Sequence, residues 1–228
     1  MSKPEAVIVG AGSGLSASLA RVLGQAGYGL VLAARNTDKL DALAAETGAR
    51  TVAMDASDAE AMAALFNQLD ETPQVAIYNP SMRLRGPVAE LEPEKVRRAV
   101  EVTAFGAFLM GQAAVRRMLA SEGDVKGTIL FTGASAGVRG FARSAPFAMG
   151  KFAQRGLAQA MARELHPKGV HVAWVNIDGA IRNPGRQEMT PDSMLCPDAI
   201  ARAYLGLIEQ DRSAWSDELV LRPWVETF

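Results

Sequence analysis

Apolar residues along the chain follow two alternating patterns. Short runs rich in β-branched residues predict strands, and they alternate with longer stretches in which apolar side chains recur every three to four positions. Leu15, Leu19, Val22 and Leu23 show this second, helical spacing in the first such stretch. Parallel strands joined by crossover helices produce this alternation. The pattern therefore predicts an α/β fold.

The predicted strands also set the architecture that we expect. Seven of them are predicted, at residues 6–9, 30–33, 51–54, 75–78, 128–132, 170–177 and 219–221. The chain contains no internal repeat, and no linker divides it. We therefore expect one single-domain, dinucleotide-binding Rossmann-type fold over residues 1–228, with a doubly wound, seven-stranded parallel sheet and helices on both faces.

Helix boundaries follow from prolines and capping residues. A proline suits the first turn of each of two long helices, which are predicted over residues 93–118 and 146–165. Ser57 and Glu60 have the spacing of a capping box, which predicts that a helix begins after Ser57.

Composition narrows the class of protein. The 228 residues include 24 Lys and Arg against 25 Asp and Glu, which gives a net charge of −1. A nucleic-acid partner requires clustered positive charge, so we expect none. No apolar run approaches the roughly 20 residues that span a membrane, so we expect no membrane partner and a cytoplasmic protein. The single cysteine, Cys196, excludes an internal disulfide, and we predict no metal site.

A glycine-rich turn joins the first predicted strand to the first helix. Glycines there allow the backbone to approach a pyrophosphate, and the positive end of the helix dipole stabilises the anion. A tight turn that needs positive φ is the alternative explanation for the glycines alone, but their position between a strand and a helix favours dinucleotide binding. We therefore predict cofactor contacts from Gly10, Gly12, Ser13, Gly14 and Leu15.

The end of the second predicted strand bears on the choice of cofactor. A dinucleotide fold normally carries an acidic residue here, which binds the ribose 2′-hydroxyl. This chain instead has Arg35, whose planar guanidinium can pair with a 2′-phosphate. An ordinary exposed arginine is the alternative. The residue favours NADP over NAD.

Several segments together resemble the short-chain dehydrogenase/reductase family, over nearly all of the chain. Gly10 and Gly14 match the first two glycines of the family's motif, and Ser16 stands where the third is usual.

Asp55 and Ala56 resemble the family's adenine-ring contact, and Asn79 matches the start of its turn after the fourth strand. Gly179 lies in a segment that resembles the family's Pro-Gly turn, which implies that the backbone of Ile181 meets the nicotinamide carboxamide. The resemblance implies a nicotinamide cofactor and assembly as a homodimer or homotetramer.

The catalytic positions depart from this family. The family uses a tyrosine four residues before a lysine, and here that pair reads Phe147 and Lys151. A phenyl ring has no exchangeable proton, so Phe147 cannot act as a general acid or base. The family's supporting serine aligns with Ala134, next to Ser135, and its helix-four asparagine aligns with Thr103. The resemblance implies that Lys151 holds the nicotinamide ribose.

Other side chains near these positions are candidates for contacting the substrate. Ser135, Ser144 and Tyr78 are possible donors to a substrate oxygen, although each also has an ordinary structural role as a turn former, a helix cap or a core residue. Arg139 and Arg143 precede Phe147 and are candidates for meeting an anionic substrate, or for simple solvation.

Apolar residues in the segment after Gly179, among them Met189 and Met194, favour a hydrophobic substrate.

Two functions fit these observations. The first is an NADP(H)-dependent oxidoreductase that acts on a small-molecule carbonyl or alcohol; Lys151 holds the ribose, Ser135 polarises the substrate oxygen, and water or a substrate group supplies the proton. The second is a catalytically inactive NADP(H)-binding protein, which serves as a redox sensor or interaction partner and keeps the cofactor pocket without the reaction.

Overall fold

The computed structural model describes residues 3–183 and 185–226. Its strands are β1 (Glu5–Val9), β2 (Gly29–Ala34), β3 (Arg50–Ala53), β4 (Pro73–Tyr78), β5 (Gly127–Thr132), β6 (Val170–Ile177), β7 (Ala180–Ile181), β8 (Met194–Leu195) and β9 (Glu218–Leu221). Seven of these form one sheet in the order β3-β2-β1-β4-β5-β6-β9, with every neighbouring pair parallel. The predicted fold class is confirmed. β7 and β8 form a separate small pair.

Helices cover both faces of this sheet. They are α1 (Leu15–Gln25), α2 (Asp41–Thr47), α3 (Ala59–Asn67), α4 (Pro93–Val100), α5 (Gly106–Leu119), α6 (Ala145–Leu165) and α7 (Pro197–Ile208). One apolar core packs α3, α5 and α6 against the sheet, and a second packs α1, α2 and α7 against the other face. Strands buried on both faces explain why they appear in the sequence as continuous apolar runs. Among the described residues, no helix is long and apolar enough to cross a membrane.

Two predicted helix boundaries differ from the structure. The helix predicted over residues 93–118 is divided, because a π-helical segment, Glu101–Phe105, separates α4 from α5. The prediction that Ser57 caps α3 is wrong. Asp58 caps α3 instead, because its carboxylate accepts hydrogen bonds from the amides of Glu60 (2.9 Å) and Ala61 (3.1 Å). A carboxylate is favoured at this position by the helix dipole.

The order of the strands fixes where a ligand can bind. From β1 the chain builds outward to β3 and then crosses back to place β4 on the other side of β1. The connections after β1 and β4 therefore leave the sheet on opposite faces and open a crevice at the carboxyl ends of these strands. The glycine-rich turn and Asn79 follow these two strand ends.

Candidate functional site

Two adjoining cavities lie in this crevice. The first, which we call the Lys151 cavity, has a volume of about 370 Å³ and is lined in part by Phe147 and Lys151. The second, the Arg35 cavity, has a volume of about 490 Å³ and lies beside the ends of β2 and β3. Gly10, Asn79 and Ser81 line both. The two cavities thus form one continuous groove along the carboxyl edge of the sheet.

The glycine-rich turn forms the floor between the two cavities. Gly10 has φ of +82°, and a Cβ there would lie 2.6 Å from Pro80 Cγ, so no other residue fits without displacement. A Cβ at Gly12 or Gly14 would meet nothing within 4 Å, so the backbone there borders open space. No side chain caps the N-terminus of α1. These features suit the close approach of an anionic pyrophosphate.

The turn residues do not all face the groove. Gly10, Gly12, Gly14 and Leu15 line the Lys151 cavity. Ser13 instead lines a neighbouring cavity beside the start of α7. Ser13 therefore lies on the outer side of the turn, and its cofactor contact stays a prediction.

A hydrogen-bond network ties the turn to three other elements. Ser16 Oγ donates to the Gly10 carbonyl (2.9 Å), and Asn79 Nδ2 donates to Ser16 Oγ (2.8 Å). Thr132 Oγ1 donates to Asn79 Oδ1 and also lies 2.8 Å from the hydroxyl of Tyr204. Burial raises the pKa of Tyr204, so this phenol keeps its proton. The chain of bonds holds the turn at a fixed distance from the end of β5.

The network also contains residues that sequence reasoning missed. Ser16 was noted only as a replacement for a glycine, whereas its hydroxyl bridges the turn and Asn79. Thr132 and Tyr204 carried no motif. Their only sequence signals are a polar residue at a strand end and a tyrosine on an apolar helix face, and both are common in cores.

Lys151 is buried and points into the first cavity. Its side chain is 2% exposed, and its Nζ donates to the Thr132 carbonyl and to Gln154 Oε1 (3.1 Å). Gln154 in turn donates to the carbonyl of Thr103, in the π-helical segment, at 3.3 Å. Burial, and then the charge of Arg83, lower the pKa of Lys151 to about 7. The amine therefore exchanges its proton near neutral pH.

Phe147 lies one helical turn before Lys151 and forms the adjacent part of the wall. The ring is 7% exposed, and the guanidinium carbon of Arg83 lies 4.8 Å from its centroid. This is a cation–π distance. Arg83 therefore occupies the space in front of the one aromatic ring of the Lys151 cavity.

The three predicted oxygen donors lie outside the lining of this cavity. Ala134 lines the wall, and the half-buried Ser135 is absent from the described lining residues. Ser144 is buried at the start of α6 and makes no capping hydrogen bond. Tyr78 donates to the Val102 carbonyl (2.5 Å) in the core, and burial raises its pKa. Tyr78 thus has the core role.

The Arg35 cavity is lined by polar and cationic side chains. Arg35, Asn36 and Lys39 lie together on its rim and are exposed. Within the described residues, neither Arg35 nor Lys39 forms an ion pair. No sequence signal pointed to Lys39, because it lies four residues after Arg35 in a segment with no recognised motif.

Asp55 and Ala56 line the same cavity, but Asp55 is already engaged. Its carboxylate accepts from the amide (2.9 Å) and hydroxyl (2.7 Å) of Ser57 and pairs with Arg98. Partial desolvation opposes ionisation, but the Ser57 hydrogen bonds and the Arg98 charge outweigh it and lower the pKa of Asp55. This carboxylate therefore stays ionised, with its charge largely matched.

The segment after β6 closes the far end of the groove. Gly179 and Ile181 line the Lys151 cavity, and β7 is held by its pairing with β8. Asp178 is buried and pairs with Arg139 (3.8 Å) and Arg222 (3.2 Å). Gly179 and Ile181 are thus brought next to the Lys151 wall.

The cationic and apolar residues that line the Lys151 cavity differ from those that the sequence suggested for contacting the substrate. Arg139 pairs with Asp178, and neither Arg139 nor Arg143 is among the described residues that line the Lys151 cavity. Arg83 and Arg186 line it instead. Met189, predicted to favour a hydrophobic substrate, is 87% exposed and is not among the described lining residues.

Comparisons with known proteins agree with this fold. The family model described as short chain dehydrogenase matches residues 4–194. The chain is 32% identical over 193 residues to trans-4-hydroxycyclohexanecarboxylate dehydrogenase of Sinomonas cyclohexanicum, covering 78% of this chain and 73% of that enzyme. A short-chain dehydrogenase from Rhodopseudomonas palustris is 33% identical in its crystal structure, with a TM-score of 0.85, covering 98% of this chain and all of that one. A metagenomic short-chain oxidoreductase in complex with NADP is 26% identical, with a TM-score of 0.85 and 99% of both chains covered.

Proposed function

The chain belongs to the short-chain dehydrogenase family, and from this membership we propose that it is an NADP(H)-dependent oxidoreductase acting on a carbonyl or alcohol. The observation that carries the proposal is the continuous groove from Arg35 to Lys151, with the glycine-rich turn between them. This groove has the order that an extended dinucleotide requires: a cationic end, an anion-binding turn and a buried amine. In this proposal residues 1–228 act as one dinucleotide-binding domain.

The choice of NADP rests on the rim of the Arg35 cavity. Arg35 and Lys39 provide two exposed positive charges beside the end of β2, and Asp55 is neutralised by Arg98. A 2′-phosphate is attracted by the first pair and meets little repulsion from the paired carboxylate. Asp55 and Ala56 would then contact the adenine ring, and the similar metagenomic oxidoreductase holds NADP in its crystal structure.

The residues of the Lys151 cavity suit the nicotinamide end. A bound nicotinamide supplies or accepts the hydride. Lys151 holds the ribose, Asn79 fixes the turn through Ser16, and Gly179 and Ile181 border the carboxamide. These contacts use a charge and backbone groups, so none of them needs the phenol that is usual in the family.

Proton transfer is the step that this chain must perform differently. Phe147, which we place at the family's tyrosine position, holds no exchangeable proton. Water or a substrate group therefore supplies the proton, and Lys151, with its pKa of about 7, is the group that relays it at neutral pH. Ser135 is proposed to donate a hydrogen bond to the substrate oxygen, which requires its hydroxyl to turn toward the wall that Ala134 forms.

Assembly as a homodimer or homotetramer is part of the same proposal. Phe105 and Phe108, at the start of α5, and Met149 and Phe152, on α6, are large apolar side chains that remain exposed. The two phenylalanine rings of the first pair stack at 6.1 Å. A second copy of the chain would cover these side chains, and light scattering at micromolar concentration tests this.

A second function is favoured by the altered wall itself. Phe147 and Ala134 together remove both side-chain hydroxyls that the family places beside the substrate, while the cofactor groove is retained. An NADP(H)-binding sensor or interaction protein without turnover fits that combination.

One experiment separates the two functions. NADPH oxidation is measured against a panel of ketones and aldehydes for the parent protein, Phe147→Tyr and the matched control Phe141→Tyr, which alters an exposed ring in the loop before α6. Turnover by the parent, unchanged in the control, supports the oxidoreductase. Tight NADPH binding with turnover only in Phe147→Tyr would instead support the binding protein.

A further inference from the structure

The Lys151 cavity has an unbalanced charge. Three cationic side chains line it, Arg83, Lys151 and Arg186. Aspartate and glutamate are absent from the described residues of its lining. A cavity with several cations and no carboxylate attracts anions.

Arg83 is oriented by Phe147 rather than by an acid. Its guanidinium stacks over the ring at 4.8 Å, and across the described part of the chain it has no carboxylate partner. Partial desolvation, then the charges of Arg186 and Arg85, lower the pKa of Arg83. Stacking uses the face of the guanidinium and leaves the N–H groups in its plane available to a ligand. Arg83 thus presents N–H donors to the cavity, although desolvation and the neighbouring arginines disfavour its positive charge there.

Arg186 lies in the segment between β7 and β8. Glu188 of the same segment already has other partners. Glu188 pairs with Arg182 (2.9 Å) and accepts from the amide of Met194 (2.9 Å). Elsewhere near the site, Arg139 pairs with Asp178. Within the described residues, Arg186 has no such partner. Arg186 therefore brings an unpaired positive charge to the cavity.

We propose that the substrate carries a compact oxoanionic group, a carboxylate or a phosphate, which Arg83 and Arg186 bind together. This inference rests on the proposed oxidoreductase function and adds the class of substrate. The planar, forked donors of arginine match either oxoanion. With the anion held there, the carbonyl or alcohol group of the same small molecule lies toward Lys151, which lines the same cavity. The cofactor's own pyrophosphate is expected at the start of α1, which lines the same cavity, so the test must also compare NADPH affinity between the parent and the arginine variants.

The test compares charged and neutral substrates of the same shape. kcat/KM with NADPH is measured for keto acids beside their methyl amides, and for dihydroxyacetone phosphate beside dihydroxyacetone. The proteins are the parent, Arg83→Met, Arg186→Met and the control Arg116→Met, which alters an exposed arginine of α5 outside the cavity lining. We expect the parent to prefer one class of anion. Each cavity variant should lose roughly 10- to 100-fold for that class and little for its neutral partner, because a hydrogen bond to a charged group is lost.

The outcomes distinguish this inference from the proposed function. Equal reduction of charged and neutral partners by the parent would overturn the anion site but leave the oxidoreductase intact. A matching loss of NADPH affinity in the arginine variants would also overturn it, since the arginines would then bind the cofactor. If no carbonyl is reduced, the function fails, and calorimetry with benzoate against benzamide decides the site: selective benzoate binding that Arg83→Met abolishes supports it, and its absence overturns it.

Discussion

The Arg35 cavity and the Lys151 cavity lie side by side at one sheet edge but differ in what their residues must do. In the Arg35 cavity, exposed cations and a paired carboxylate need only attract and orient an anion. In the Lys151 cavity, a buried amine, a phenyl ring and two arginines surround the place where the proposed reaction moves a proton. An anion can be bound by any of several side chains with the same charge. Proton transfer instead requires a side-chain atom that carries an exchangeable proton.

The largest expected effect belongs to Lys151, because the proposed function gives it a part in both cofactor binding and proton transfer. Lys151→Met should lower the rate of carbonyl reduction on the order of 10²- to 10⁴-fold, the range for loss of an acid–base group. Stopped-flow measurement of NADPH oxidation gives the rate. Lys168→Met, which removes an exposed lysine paired with Glu164, is the control and should retain the parent rate. A full rate in Lys151→Met would remove the lysine from the mechanism.

The pH dependence tests the same residue without altering it. Because the Lys151 pKa is about 7, the ammonium is lost as pH rises through that value. The rate of reduction should therefore fall above about pH 7, and the rate of alcohol oxidation should rise. A pH–rate profile from 5.5 to about 9 measures both limbs. A flat profile over this window would show that Lys151 does not relay the proton.

Stability gives a readout of this pKa that needs no substrate. The unfolded chain holds the lysine proton up to its ordinary value of 10.5, whereas the folded chain releases it near 7. Between these values the unfolded state binds more protons, so the free energy of unfolding should rise with pH. Urea denaturation at several pH values measures the slope, which Lys151→Met should reduce. An unchanged slope in the variant would contradict the burial account.

In the Arg35 cavity a smaller and more selective effect is expected. Arg35→Met should weaken NADPH binding roughly 10- to 100-fold, because it removes charged hydrogen bonds to the 2′-phosphate. NADH lacks that phosphate and should bind with little change. Calorimetric titration of both cofactors measures the difference, and Arg116→Met, an exposed arginine of α5 that lines neither cavity, is the control. Equal losses for the two cofactors would rule out the 2′-phosphate role.

The smallest effect concerns Ser16, which connects the two cavities. Ser16→Gly installs the glycine that the family motif carries and deletes the hydrogen bonds to Gly10 and Asn79. It should lower the free energy of unfolding by about 1 kcal/mol, as is typical for a buried hydrogen bond. Thermal unfolding measures this against Ser13→Gly, which changes an exposed serine of the same turn. A more stable Ser16→Gly protein would mean that the network adds no stability.

Sequence reasoning predicted the sheet and the turn better than the wall around Lys151. Buried parallel strands leave continuous apolar runs, and the turn needs glycine at Gly10 because of its φ and the nearness of Pro80. Both constraints act on residues that are close in the sequence, so both are visible there. The π-helical segment at Thr103 arises from packing between elements, so it left no local signal.

The residues around Lys151 come from distant parts of the chain. Arg83 reaches the Phe147 ring from the loop after β4, and Arg186 approaches from the segment after β7. No motif links them, whereas Arg139 and Arg143 were singled out because they stand near Phe147 in the sequence. Proximity along the chain was a poor guide here, because Arg139 pairs with Asp178 and neither arginine is among the described residues that line the cavity.

We propose that this chain moves hydride to a carbonyl with Phe147 in the place of the family's tyrosine. The most direct test uses NADPH deuterated at the transferred C4 position and mass spectrometry of the alcohol formed by the parent protein. The alcohol formed by the parent protein should carry one deuterium. Its rate of formation should fall above about pH 7, because Lys151 loses its proton there. Labelled alcohol from Phe147→Tyr but none from the parent, with NADPH bound equally by both, would contradict the proposal.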